Sequence, residues 1–444
     1  MNHKKVLFWS FTVALGGFLF GFDTAVISGG EQAIQKLWNL SNAMIGQMVA
    51  MALYGTIIGA LLGGIPADRL GRKTSLFWIA VLYLISAVGS ALAPDIYYLM
   101  FFRFIGGLGV GASSVVAPMY IAEIAPRESR GRLTAMFQFN IVLGIMMAYF
   151  SNWLIGMGGE DNWRWMLGME AFPALAFVIM VLFVPRSPRW LIVKRGLVEE
   201  ARKILEIINP TTVEEHLATI HAANSTAKKS SFRKFFSGRF NLPIILAFLV
   251  AFFNQLSGIN AVIYYAPRIF SQTGMGESAA LLSSVGIGIV NLVFTMAGLA
   301  LIDRMGRRFL MIIGSLGYII SLSMVAVAFF TGAASNGYLV PVLLFVFIAS
   351  HAIGQGAVIW VFISEIFPND VRSWGNSLGC GTHWVFAAII AGSFPFFAGK
   401  LGGGVIFAFF AVMMVLQLLW ALKMMPETKG VSLEDLEKQL VKEK

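Results

Sequence analysis

Cysteine is almost missing from this chain: of 444 residues only Cys380 carries a thiol. An intrachain disulfide and a cysteine-ligated metal are excluded at once. Histidine is nearly as scarce, and its five copies are too scattered for metal-ligand spacing. Charge is in short supply as well. Charged residues make up 13% of the chain against 57% hydrophobic ones, with a mean hydropathy of +0.76, outside the balance of a soluble globular protein. No nucleophile–base pair, metal cluster or phosphate-binding loop stands out, so neither enzyme chemistry nor a cofactor or metal is expected. The formal net charge of +10 could point to nucleic acid, but that needs a basic patch on a soluble module. Here the basic residues fill short gaps between apolar runs. The lipid bilayer, not nucleic acid, is the expected surrounding.

What is present is a series of twelve apolar runs, near 6–29, 43–66, 75–93, 97–124, 133–157, 165–184, 241–268, 278–301, 309–331, 338–366, 374–398 and 403–424. Each is close to the ~20 residues a helix needs to cross a bilayer. The N-terminal Met1-Asn2-His3-Lys4-Lys5 and its apolar run superficially resemble a signal peptide. The run is too long, however, and lacks a small-residue cleavage site, so it reads as an uncleaved first helix. With the N-terminus inside, only Lys36, Arg164, Arg268 and Lys400 fall outside and Arg103 lies within a run, leaving 28 of the 33 Lys and Arg in the cytoplasm. That is a strong positive-inside bias, and it places both termini inside.

The one long polar segment, 185–240, carries amphipathic stretches at Leu197–Ile208 and Val213–Ala223, then Lys228-Lys229 and Arg233-Lys234. Helices on the cytoplasmic face fit it. A tail helix is expected over Ser432–Glu443, with Leu433, Leu436 and Leu440 on one side.

The chain also repeats. Asp68-Arg69-x-Gly71-Arg72-Lys73 recurs 235 residues later as Asp303-Arg304-x-Gly306-Arg307-Arg308. Glu123-x-x-Pro126-x-x-x-Arg130 recurs 242 residues later as Glu365-x-x-Pro368-x-x-x-Arg372, and Pro185-Arg186-Ser187 recurs 241 later as Pro426-Glu427-Thr428. Nearly one offset for three motifs predicts two six-helix halves, 1–184 and 241–424, joined by 185–240 and followed by a tail, 425–444. Parallel repeats of this kind place a substrate site near the midplane, with alternating access.

Two charges stand out inside the runs. Asp23 sits in Gly17–Gly29 (GFLFGFDTAVISG), and an ionised acid at that depth costs roughly 2.5–3.5 kcal/mol. Arg103 sits in the fourth run. Taking the first helix to end near Gly29 and the fourth to start near Tyr97, both lie roughly 9 Å below the outer boundary at ~1.5 Å per residue. Matched depth allows a buried pair. The pair could be purely structural, but an acid in a substrate path is the usual proton carrier. On the seventh run Asn254, Gln255, Asn260 and Tyr264 surround an interruption at Gly258. Amides between membrane helices often serve as glue, yet such a cluster also suits a polyhydroxylated ligand.

Taken together, the doubled D-R-x-G-R-[KR] loops, GFDTAVISG, FFRFIGG, PMYIAEIAPRESRGR, VPRSPRWL, NQLSGINAVIYYAP, ISEIFPNDVR and PETKG resemble the sugar porter family of the major facilitator superfamily, over essentially the whole chain. The likeness is nearest to bacterial proton-coupled monosaccharide (xylose/glucose-type) members. It implies an all-α integral membrane fold of twelve transmembrane helices in two pseudo-symmetric bundles. It further implies symport of a pentose or hexose with protons across the plasma membrane, by a chain acting as a monomer. Symporters of the family keep the acid at Asp23, where uniporters commonly have Asn. The resemblance adds Gln138, Asn291, Trp360 and Trp384 to the sugar site, along with His383, which stands where relatives commonly carry Gln or Asn. Asn254 replaces the first Gln of the family's Gln-Gln pair. The segment Tyr264-Tyr265-Ala266-Pro267 is either an outer lid or a helix end punctuated by Pro267, and His351 reads as a packed polar residue.

The resemblance also implies a cytoplasmic gate of salt bridges that holds the outward-facing state. Its members would be Asp68, Arg69, Arg72, Glu123 and Arg130 in the first half, and Asp303, Arg304, Arg307, Glu365, Arg372 and Glu427 in the second. Arg186 stands where the family usually has Glu, which removes one acid from the first half, and Ser373 replaces a usual Gly. Two rival readings remain: a passive sugar uniporter with a structural Asp23–Arg103 pair, and a non-transporting sugar sensor.

Overall fold

Apolar runs free of charge satisfy their backbone polar groups only within themselves, so in a membrane-length segment the helix is the stable answer. The computed structural model describes residues 3–126, 130–158, 162–225, 232–368, 370–431 and 433–441. Among them there is no strand. Among the described residues twelve helices are long and apolar enough to cross a membrane: α1 Lys4–Leu37, α2 Asn42–Leu62, α3 Arg72–Ala91, α4 Ile96–Ile124, α5 Ala135–Gly156, α6 Trp163–Leu182, α7 Asn241–Ser271, α8 Glu277–Met305, α9 Arg307–Phe330, α10 Leu339–Glu365, α11 Arg372–Leu401 and α12 Gly403–Lys423. Every expected run is one of them. Large apolar side chains such as Trp78, Phe172, Ile320 and Val412 stand exposed on their outer faces, as a hydrocarbon solvent requires and water would penalise.

One boundary differs. The first helix continues eight residues beyond Gly29, to Leu37, through Glu31 and Gln35, whose side chains find partners described below. Its end therefore does not set the depth of Asp23.

The chain forms two compact units. The first comprises Met1–Val26, Met51–Ala148 and Asn162–Lys228; the second comprises Ile27–Ala50, Tyr149–Asp161 and Lys229–Lys444. Within the first unit, glycines let helices touch through their backbones. A Cβ at Gly107 on α4 would lie 1.9 Å from the Ala52 carbonyl oxygen on α2, and one at Gly21 on α1 would lie 1.9 Å from the Ile141 oxygen on α5. Close approach at small residues is how helices bind each other when lipid offers no hydrophobic drive. The helices Val198–Ile208 and Val213–Ser225 turn Leu205, Ile208 and Leu217 into the first unit's core, beside Tyr120, Ile124 and Trp190. Their apolar faces are thus spent on protein. Lys228 and Lys229 lie outside the described residues. The tail forms the helix Leu433–Leu440, with Leu436 and Leu440 buried.

Candidate functional site

In the first unit, α1, α4 and α6 bring three charged side chains together. Arg103 Nη1 donates to Asp23 Oδ1 at 2.6 Å, and Nη1 and Nη2 approach the Asp23 carbonyl oxygen at 3.4 and 3.3 Å. Both residues are buried. Glu170, also buried, sets its carboxyl against that of Asp23. The α6 helix is fixed by Arg164, whose Nη1 donates to the carbonyls of Ala91 and Ala93 at 2.9 and 2.8 Å, and Glu170 follows nearly two turns later. The expected pair is therefore a triad. Sequence reading passed over Glu170 although the signal was there: like Asp23, it is an acid within an apolar run.

In the second unit the amides form a second cluster. Gly258, in left-handed conformation at φ +84°, separates helical pieces Asn241–Leu256 and Ile259–Ser271. Asn254 and Gln255 close the first piece and Asn260 opens the second. Gln255 Nε2 donates to Asn254 Oδ1 at 2.9 Å, and Asn260 Nδ2 donates to Gln255 Oε1 at 2.8 Å. The same Gln255 nitrogen stands 3.2 and 3.3 Å from the two ring nitrogens of His383. The His383 ring has its centroid 5.0 Å from that of Trp360 and 4.8 Å from that of Trp384. Trp360 keeps 40% of its surface exposed, so apolar surface remains open next to His383.

The other expected members are Tyr264, Asn291 and Gln138. Tyr264 is buried on the second piece of α7, and Asn291 on α8 accepts from Thr295 Oγ1 at 3.3 Å. Gln138 is half-buried on α5 in the first unit. Tyr265 is the residue at which α7 bends, with φ −127° and ψ 19°, and its hydroxyl donates to the Ala391 carbonyl at 2.8 Å. His351 lies 2.5 Å from the Tyr318 hydroxyl, as a packed polar residue does.

A further ion pair went unread in the sequence. Glu31, fully buried on the extension of α1, pairs with Arg268 on α7, whose Nε donates to Glu31 Oε1 at 2.8 Å; a second guanidinium nitrogen donates to Gln35 at 2.6 Å.

The repeated loops carry the same wiring in each unit. Arg72 bonds Asp68 at 3.0 Å and Glu123 at 3.0 Å, and Glu123 accepts from Ser187 Oγ at 2.5 Å. Arg307 bonds Asp303 at 3.1 Å and Glu365 at 2.8 Å, and Glu365 accepts from Thr428 Oγ1 at 2.6 Å. Gly71 and Gly306, at φ +92° and +91°, make the two turns. Glu427 accepts from the backbone N–H groups of Arg307 and Arg308 at 3.0 Å each. Arg186, in the corresponding place, is exposed and 3.7 Å from Glu200. Arg69 and Arg304 are exposed, and Arg372 Nε donates to the Phe367 carbonyl at 3.2 Å. The Arg130 side chain lies outside the described residues.

Known proteins are similar to this chain over nearly its whole length. The family profile described as "Sugar (and other) transporter" matches residues 9–440. A D-xylose transporter of Levilactobacillus brevis is 37% identical, over 99% of this chain and 97% of that protein. An arabinose-proton symporter of Bacillus subtilis is also 37% identical, over 98% and 95%. The inward open structure of the xylose transporter XylE from E. coli superposes with a TM-score of 0.87 at 34% identity, covering 97% of this chain and 99% of that one.

Proposed function

We propose that this chain, which belongs to the sugar transporter family, is a proton-coupled monosaccharide symporter of the major facilitator type that works by alternating access. The observation that carries the proton is the triad. Arg103 can neutralise only one of two buried carboxyls, so the group balances its charge when a single proton is bound to Asp23 or Glu170. Unbalanced charge at membrane depth is costly, which makes proton uptake and release there a natural event in a transport cycle. The sugar reading rests on the amide cluster. Asn254, Gln255, Asn260 and His383 offer neutral donors and acceptors, with exposed apolar surface of Trp360 next to His383, as a polyhydroxylated ring demands. By family likeness Gln138, Tyr264, Asn291 and Trp384 belong to the same function. The pentose or hexose partners named in the relatives fit this chemistry.

The division into halves 1–184 and 241–424, with the linker 185–240 and tail 425–444, is part of the same reading. So are the plasma membrane location, action as a monomer, and termini on the cytoplasmic side, which the distribution of Lys and Arg supports. The paired Asp–Arg–Glu networks then serve as a cytoplasmic gate, to which Arg69, Arg130, Arg304 and Arg372 belong by family likeness.

The test is uptake by proteoliposomes with and without an imposed pH gradient, across a panel of monosaccharides. Gradient-driven accumulation is expected in the wild type. Asp23→Asn is expected to abolish it while equilibrative exchange persists. Accumulation that ignores the gradient would make the protein a uniporter with a structural pair, and sugar binding without any uptake would make it a sensor.

A further inference from the structure

The amide cluster on α7 is one end of a longer chain. Behind it lie Gln355, on the π turn Ala352–Gly356 within α10, and Gln417 on α12, both fully buried. Gln417 Nε2 donates to Ser315 Oγ on α9 at 2.8 Å, and Gln355 Nε2 donates to Gln417 Oε1 at 2.8 Å. Asn254 Nδ2 then faces Gln355 Oε1 at 3.4 Å. With the bonds from Gln255 to Asn254 and from Asn260 to Gln255, five carboxamides run head to tail from Ser315 to Asn260.

Such a chain has a direction, and something must set it. A carboxamide carries its acceptor on one side and its donors on the other, and it can be turned over within the same volume. Turning one link alone sets N–H against N–H or oxygen against oxygen. Two buried groups then go unsatisfied, which disfavours that arrangement roughly tenfold or more in population. The links therefore keep one common sense, and the sense is chosen at the end.

Ser315 is that end. Its hydroxyl has one hydrogen, spent on the Met311 carbonyl at 2.7 Å. Towards Gln417 it can only accept, so the Gln417 amino group must face it. The Met311 sulfur, 3.6 Å from the same nitrogen, and the Val250 carbonyl, 3.5 Å from Gln355 Nε2, are acceptors that favour the same sense. One link before the far end, the Gln255 amino group lies 3.2 and 3.3 Å from the two His383 ring nitrogens, and whichever of them it bonds must accept.

We propose that Ser315, Gln417 and Gln355 are positioning residues for the sugar site. A serine on a neighbouring helix decides which atoms of Asn254, Gln255 and Asn260 donate and which accept, and so which sugar hydroxyls are favoured. This rests on the reading of those three amides as sugar-binding groups. Packing alone would need buried volume at these positions but no particular direction of hydrogen bonding.

The experiment measures proteoliposome uptake of a monosaccharide that the wild type transports, and of its singly deoxygenated analogues, for Ser315→Ala, Ser315→Thr, Gln417→Leu and Gln355→Leu. Ser315→Ala and the two leucine variants are expected to raise KM for the parent sugar about tenfold, with the maximal rate within about twofold. They should also shrink the KM ratio between the parent and at least one analogue. Ser315→Thr keeps the hydroxyl and is expected to keep the wild-type ratios. Should a leucine variant not fold, Ser315→Ala against Ser315→Thr carries the comparison. Wild-type KM ratios in Ser315→Ala, whatever its yield or maximal rate, overturn the inference. A wild type that takes up no monosaccharide overturns instead the sugar reading beneath it.

Discussion

Arg103 is outnumbered. Its guanidinium meets Asp23 at 2.6 Å while Glu170 stands against the same carboxyl, and all three side chains are buried. Removing the acid of Glu170 leaves a balanced Asp23–Arg103 pair with no reason to bind a proton. Glu170→Gln is therefore expected to bring gradient-driven accumulation down towards the equilibrative level while counterflow exchange of sugar continues. Accumulation equal to wild type would remove Glu170 from the coupling. Each of the three interrupts an apolar run and is to that extent legible in the sequence. That Glu170 joins the other two was not, since periodicity places a residue on a helix but does not say which helix it meets. The same holds for Glu31 and Arg268, which are 237 residues apart and bonded at 2.8 Å.

Among the elements, α7 puts its irregularity to use. At its break the Ser257 hydroxyl donates to the Asn254 carbonyl at 2.6 Å and accepts from the Ile259 N–H at 3.3 Å. Backbone groups freed by the interruption are thereby satisfied within the protein, as membrane depth demands. Gly258 is needed twice over: its φ of +84° suits glycine, and a Cβ there would lie 2.5 Å from the Phe410 ring. Left-handed conformation costs an L-residue roughly 1–2 kcal/mol. Gly258→Ala is expected to lower thermal stability by at least about that much and, by shifting Gln255 relative to Asn260, to raise the KM for sugar. A variant with wild-type KM would show that the break does not set the amide geometry. The interruption was legible from Gly258 between amides. The length of α1 was not, because Glu31 and Gln35 look like solvent-facing polar residues until their partners are seen.

Across the whole molecule, the repeat in sequence is a repeat in wiring. Arg72, Glu123 and Ser187 recur as Arg307, Glu365 and Thr428, and the offset of about 240 residues foretold each correspondence. The units differ where Glu427 caps the start of α9 through two N–H bonds of 3.0 Å and Arg186 cannot do so for α3. An acid accepting at a helix start is worth about 0.5–2 kcal/mol. Arg186→Glu is expected to raise the melting temperature of the detergent-solubilised protein and Glu427→Ala to lower it. A fall in both would show that the equivalence of the two loops ends at that position.

By itself the sequence determined that the chain is helical, crosses a membrane with twelve runs, repeats itself once, and belongs with sugar porters. The first three follow from composition, run length and motif spacing, all of which are local or periodic properties; the last follows from the resemblance of its motifs to those of the family. The tertiary structure alone decided that two acids share one arginine and that the amphipathic helices spend their apolar faces on the first unit's core. It also decided that the α7 amides continue through Gln355 and Gln417 to Ser315. For the first and the last the physical reason is the same. Hydrophobic patterning states how much of a helix is buried, whereas a buried polar group is defined by its partner, and these partners lie on other helices.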